Sequence, residues 1–406
     1  MTETKYGLPS HVQFCKKCVI SNQRPSSTVE FRSTASEKKQ GISFDKDGIC
    51  DACKYAEYKA TKIDWEKREA ELKELLNRYR RIDGYWDCIV PVSGGKDSSF
   101  AAHVLKYKYG MHPLLVTWAP HEYTQIGFKN LQSLIHAGFD HILITPNGTV
   151  HRYLTKMAFL NLCHPFQPFI IGQKSVGPRL ALEKKIPLIF YGENQAEYGN
   201  KIEENDIPFM NSDFFSSQRD FEKIVLGGVR AQELMHSHHL TKNDIEIYTP
   251  PSKEEIAANK IIVYYLGYYL KWDPQEAFYY AAEHTGFQPN TQRTEGTYSK
   301  YSSIDDKIDM LHYYTTLIKF GIGRATYDAS QEIRNNKITR EEGIALVNKY
   351  DTEFPQLYFR DCLAYMDIDE KCFWETIEKF RSAHLWKKVN NTWCLRHTCA
   401  KDGVDD

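Results

Sequence analysis

"VPVSGGKDSSF", residues 90–100, decides how the chain is read. An apolar run ends in two adjacent glycines, and a helix with Phe100, Ala101, Val104 and Leu105 on one face follows. A Walker A loop would need a glycine, four free positions, then Gly-Lys before Ser or Thr. Here Asp97 follows Lys96 and the earlier glycine is missing. The strand-turn-helix pattern still makes a phosphate site, because paired glycines let backbone N–H groups approach an anion and a helix N-terminus adds partial positive charge. Ser93 and Ser98 bring hydroxyl donors, Lys96 brings a point charge, and Asp97 suits either Mg²⁺ or the helix cap.

Around this turn, short apolar runs alternate with helical patterns. "CIVPV" (88–92), "LLVTW" (114–118), "HILIT" (141–145) and "LIFYG" (188–192) read as strands, with helices over 98–108, 124–137 and 174–185. Such alternation predicts a parallel sheet covered on both faces. Ligands of open α/β sheets bind at the carboxyl edge, so "YGENQAEYG" (191–199) places Glu193, Asn194 and Glu197 there as candidates for substrate or Mg²⁺ contact. Their alternative is a capped strand-to-helix loop. Thr117 and Trp118 end the second strand, as an adenine-pocket wall or as ordinary packing.

The flanks differ in character. From Asp64, "DWEKREAELKELLNRYRR" is an amphipathic connecting helix. After about residue 250 the pattern is helical: "IIVYYLGYYL" (261–270) is too short to span a membrane and reads as a buried helix. Asp273 and Pro274 open another helix closed by Gly286, "SIDDKIDMLHYYTTLIKFG" carries acidic residues in its first turn, and Thr339 with Glu342 forms a capping box. The expected division is 1–62, 63–84, 85–250 and 251–406. "HSHH" (236–239) reads as loop, since its spacing cannot turn every ring to one ion from a helix.

Residues 1–62 have little to build a core from, and something must staple them. Cys15 and Cys18 form one CxxC, Cys50 and Cys53 another, which matches a structural four-thiolate zinc site over an iron–sulfur cluster or redox thiols. Cys88 reads as core, and Cys362, Cys372, Cys394 and Cys399 lack paired metal spacing. The opening residues lack a basic n-region and apolar h-region, so a reducing cytoplasm is expected for the ten cysteines. A formal net charge of -1 gives no general attraction to nucleic acid, and no membrane association is expected.

"SGGKDSS" directly after a strand resembles the PP-loop of the ATP pyrophosphatase family, whose Rossmann-like α/β fold is that of the adenine nucleotide alpha hydrolases. That resemblance implies transfer of AMP to a substrate oxygen, with Val92, Ser93, Gly94, Gly95, Lys96, Asp97, Ser98, Ser99 and Thr117 around ATP and Lys96, Asp97 and Glu193 in catalytic roles. Together with "CKKCVISNQRP", "DGICDAC", "IFYGENQAEYG" and the segment from "RTEGTYSKYSS" to "NNKITREE", the chain resembles the N-acetyl sugar amidotransferases of O-antigen and pseudaminic or legionaminic acid biosynthesis. Segment 29–41 is longer than that family's pattern. The resemblance implies an N-terminal zinc-binding module, the PP-loop sheet, a C-terminal helical region, and conversion of a sugar acetamido group to an acetamidino group through an O-adenylyl imidate and ammonia. ATP, Mg²⁺ and Zn²⁺ are the implied cofactors, and the acceptor is a nucleotide-linked sugar or a nonulosonic acid.

Arg293, Glu295, Thr297, Tyr298, Lys319, Arg324 and Asp328 are candidates to reach over the site, with Arg324 chosen as a fork for an acidic group and a solvated salt bridge the alternative for each. No cysteine sits at position 2, which is Thr2, or in a nucleophile elbow, so ammonia is expected from glutaminase and cyclase-like subunits, with free ammonium as the fallback. A tRNA thiolase is the competing enzyme class and would need a catalytic cysteine, for which Cys163 is the candidate; a non-enzymatic nucleotide sensor is the third class.

Overall fold

The computed structural model describes residues 4–34, 36–200, 206–217 and 224–400, so Thr2 lies outside it. The chain enters through helix α1 (Asp51–Thr61) and helix α2 (Trp65–Tyr79), the latter capped by Asp64, whose side chain accepts from Lys67 N–H. Strand β1 (Cys88–Pro91) then runs into α3 (Lys96–His103), β2 (Pro113–Trp118), α4 (Gln125–His136), β3 (Asp140–Ile144), α5 (Gly148–Leu162), α6 (Gln167–Lys184) and β4 (Leu188–Tyr191). A fifth strand, β5 (Ile262–Tyr265), completes a sheet of order β3-β2-β1-β4-β5 with every pairing parallel.

Alternation along the strands sorts the core into two layers. Ile89, Leu114, Val116 and Ile189 pack against Leu154, Phe159, Ile171 and Leu180 of α5 and α6. Cys88, Val90, Leu115 and Phe190 face the other way, onto Leu72, Leu75 and Leu76 of α2 and the apolar sides of α3 and α4. Helices cover both faces, as the strand-helix alternation requires.

Several expectations change. Segment 261–270 is not one buried helix: Ile262–Tyr265 pairs with β4, and only Leu266–Tyr269 is helical. β-branched and aromatic residues suit a strand there, and the sheet therefore extends past the boundary placed at 250. Of the acidic residues expected in the first turn of the next helix, Asp309 lies there, while Asp305 and Asp306 precede the helix, which begins at Asp309. The run 98–108 is also divided, into α3 and a π-helical turn at Val104–Lys108. In 236–239, His236 and Ser237 end a short helix and only His238 and His239 lie beyond it.

The later part continues with α7 (Pro274–His284), α8 (Asp309–Phe320), α9 (Arg324–Arg334) and α10 (Arg340–Tyr350). Asp273 caps α7 and Thr339 with Glu342 forms the capping box of α10. Leu311 and Leu317 of α8, with Phe359, Phe373 and Ile377 of two later helices, Phe359–Met366 and Glu370–Phe380, join the same apolar layer as α5 and α6, so these three helices share the core of the sheet. No helix among the described residues is long and apolar enough to cross a membrane.

Candidate functional site

The strand order reverses between β1 and β4, and a crevice opens there beyond the carboxyl ends of the strands. The turn Ser93-Gly94-Gly95 leaves β1 at this point and delivers Lys96 and Asp97 into the first turn of α3. Gly94 has φ +89°, and a Cβ there would lie 2.6 Å from Leu131 N in α4. Only glycine meets both demands. Gly94→Ala should therefore cost about 3 kcal/mol or more and depress nucleotide binding, read by denaturant unfolding and calorimetry with ATP.

Ser93 Oγ accepts from Gly95 N–H at 3.2 Å, which closes the turn. Lys96 Nζ lies 2.5 Å from Asp97 Oδ2, while Asp97 Oδ1 and Ser99 Oγ are buried and lack partners. Glu193, just past β4, accepts from Tyr198 Oη. Burial and the neighbouring Asp97 raise its pKa above the usual glutamate range. Two close carboxyls, one with a free buried oxygen and one reluctant to ionise, are a donor set that a divalent cation would satisfy. Asp305, pressed against the turn from the segment before α8, is raised to about 6 by burial despite its bond with Ser93.

Lys96, Asp97 and Glu193 open onto a cleft of about 630 Å³. Its other walls come from Arg24, Glu30 and Lys39 of the N-terminal module, from Lys174 of α6, and from Tyr313, Lys319 and Arg324. Of the residues expected at the site, the structure gathers Lys96, Asp97, Glu193, Lys319, Arg324 and Asp328 here.

The others hold the frame. Thr117 Oγ1 donates to Val92 O at 2.7 Å inside the sheet. Trp118 is buried against α6, with Gly172 leaving the room it needs. Ser98 Oγ donates to Gly95 O at 3.1 Å. Asn194 caps a short 3-10 turn through Ala196 N–H, and Glu197 forms a buried 2.7 Å pair with Lys59 of α1. Arg293 grips Glu353 through two 2.6 Å contacts, Tyr298 Oη donates to Glu332 at 2.8 Å, and Thr297 Oγ1 donates to Asp328 at 2.6 Å. Glu295 accepts from Leu357 N–H at 2.8 Å. Arg324 reaches the cleft, yet its fork already engages Asp328 at 3.2 Å and Tyr313 Oη. Sequence reading missed Arg24, Lys174 and Tyr198: each lies outside the glycine turn, and only the closure of the fold brings them to it.

The four cysteines of the two CxxC pairs converge. Their sulfurs lie within 4.8 Å of one another, with Cys15 to Cys53 at 3.8 Å and Cys18 to Cys50 at 3.7 Å. A tetrahedron with metal–sulfur bonds of about 2.3 Å has edges of about 3.8 Å, so one ion fits. A polynuclear cluster would spread its thiolates over several irons, and the short edges disfavour it. Lys17, Cys18 and Cys50 aim backbone N–H groups at Cys15 Sγ, which favours thiolate. Four buried cysteines can thus hold a metal ion such as zinc, and apart from them only Ile20, Ile42, Ala52 and Ile322 are buried in this small core.

Comparison with known proteins adds two findings. Residues 295–398 match the family model described as LPS biosynthesis protein WbpG-like, C-terminal domain. The C-terminal region is thus similar to a lipopolysaccharide-biosynthesis family. An uncharacterized protein of Methanocaldococcus jannaschii, MJ1599, is 34% identical over 85 residues, which covers 20% of this chain and 28% of that protein.

Proposed function

We propose that the chain is an ATP-dependent amidotransferase of surface-polysaccharide or nonulosonic acid biosynthesis, converting a sugar acetamido group to an acetamidino group. The observation that carries this reading is the glycine turn at the β1/β4 switch point, with Lys96, Asp97 and Glu193 facing one cleft. The WbpG-like match over 295–398 is consistent with polysaccharide biosynthesis.

In this reading the turn and the α3 N-terminus hold the β and γ phosphates, and the acetamido oxygen attacks Pα. Pyrophosphate leaves and an O-adenylyl imidate remains. Ammonia adds through its lone pair to the imidate carbon, the new nitrogen sheds a proton, and the C–O bond breaks with its pair departing on AMP. Asp97 and Glu193 would hold Mg²⁺, which neutralises charge between the phosphates. The four cysteines would hold zinc with no open position, in a structural role. Glutaminase and cyclase-like partners would supply the ammonia.

Nothing favours a thiolase. Cys163 is fully buried, its thiol is pushed up to about 12 by burial, and it does not line the cleft. The test is incubation with ATP, Mg²⁺, ammonium and a panel of acetamido sugars, with mass spectrometry for oxygen exchanged for NH. Thiolated tRNA in place of a modified sugar would reverse the ranking.

The pH profile follows from Glu193. Its folded pKa is raised, so the carboxylate needed for Mg²⁺ forms only above the ordinary glutamate range. Turnover should therefore rise with pH through that higher window, and Glu193→Gln should remove this limb along with most of the activity. The profile of kcat/KM against pH checks it.

A further inference from the structure

The cleft also carries charge that the nucleotide chemistry does not use. Arg24, in the loop after the first CxxC, is 9% exposed and lines the cleft. Its Nη1 is buried without a hydrogen-bond partner. Burial lowers its pKa, the Tyr327 ring lies 5.7 Å from its guanidinium carbon, and among the described residues it forms no ion pair with a carboxylate. A buried guanidinium without an anion is costly, so such groups are paired or bind a ligand.

Lys319 projects from α8 into the same cleft, 8% exposed, with one bond from Nζ to Leu162 O at 3.0 Å. Burial pushes it down to about 8, and Lys39 acts in the same direction. Glu30 is the nearby carboxylate, shared with His164 at 3.5 Å and with Lys39. Lys39 is itself held by Glu37 at 3.0 Å and by Ser33. Glu30 and Glu37 are thus shared among Lys39, Lys319 and His164, and neither reaches Arg24. Arg324, by contrast, has a carboxylate beside it, Asp328 at 3.2 Å, and a bond to Tyr313 Oη, although its Nε lacks a hydrogen-bond partner.

We infer that Arg24 and Lys319 form a subsite for an anionic group of the acceptor, a phosphate or a carboxylate, so that the metal-binding module helps select the substrate. Segment 29–41, which carries Glu30 and Lys39 to the cleft, belongs to this wall. The inference rests on the proposed function for the word acceptor, but its test needs no turnover.

Calorimetry on the full chain with three probes separates the cases: UDP-N-acetylglucosamine carries a diphosphate, N-acetylneuraminate a carboxylate, and N-acetylglucosamine no charge. At least one anionic probe should bind about tenfold or more tighter than the neutral sugar, since a charge-assisted hydrogen bond contributes roughly that factor. The arm that gains identifies the anion. Arg24→Gln and Lys319→Met should each erase the gain while leaving affinity for ATP unchanged. Lys319 lies outside the metal module, so its variant decides if Arg24→Gln loses metal. Equal binding of all three probes, an unchanged gain in the Lys319 variant, or a parallel loss of ATP affinity would overturn the subsite. A gain without any amidine formation would remove the proposed chemistry and leave the subsite standing.

Discussion

Cys50→Ser should abolish metal binding at the four-cysteine site and unfold the segment around it. Cys50 sits 3.7 Å from Cys18 and its backbone N–H faces Cys15, so both CxxC turns lose a tie at once. The apolar part of this core is too small to hold the turns together alone. Structural zinc contributes roughly 10–16 kcal/mol to small sites, and losing even about 4 kcal/mol would lower Tm by roughly 5 °C in a chain of this size. Metal analysis and a thermal melt read this directly. The damage should spread: Arg340 donates to the carbonyls of Cys15 and Cys18, and Lys59 of α1 pairs with Glu197 beside β4. Loss of the module should therefore loosen the cleft as well. A variant with full metal content and an unchanged melt would show that the cysteines are not ligands.

Asp97→Asn should leave the fold intact and reduce ATP turnover about a thousand-fold. The side chain lies in the first turn of α3, and the amide keeps its size while giving up its charge. Asp97 Oδ1 has no protein partner and faces no other demand than a ligand's. Removing one preorganised electrostatic group at such a centre costs about 10²–10³ in rate, and loss of a metal ligand adds to that. The melt should stay within about 0.5 kcal/mol of the parent protein. Pyrophosphate release is the readout, and activity within tenfold of the parent would exclude Asp97 from the reaction.

Much of this arrangement is legible in the sequence for physical reasons. The strands read clearly because both faces are covered, which leaves continuous apolar runs. The glycine pair reads because its backbone geometry leaves no other residue free to occupy Gly94. The CxxC pairs read because thiolate spacing is set by the ion.

What stayed hidden depends on distant contacts. Strand β5 reads as a helix because "IVYYLGYY" is apolar without alternation, and only pairing with β4 decides it. Helix α5 was missed because His151 and Thr155, both buried, interrupt its stripe. Arg293, Tyr298 and Glu197 look like ligand-binding residues until their partners Glu353, Glu332 and Lys59 appear, each far away in sequence. Arg24 carries the reverse lesson: no motif singles it out in the sequence, and only its unpaired burial marks it.

ATP labelled at the α phosphorus tests the central claim most directly, with the protein, Mg²⁺, ammonium and an acetamido sugar present. The label should appear in AMP, with pyrophosphate released in equal amount and only when the sugar is present. Label recovered in ADP with orthophosphate would contradict the account.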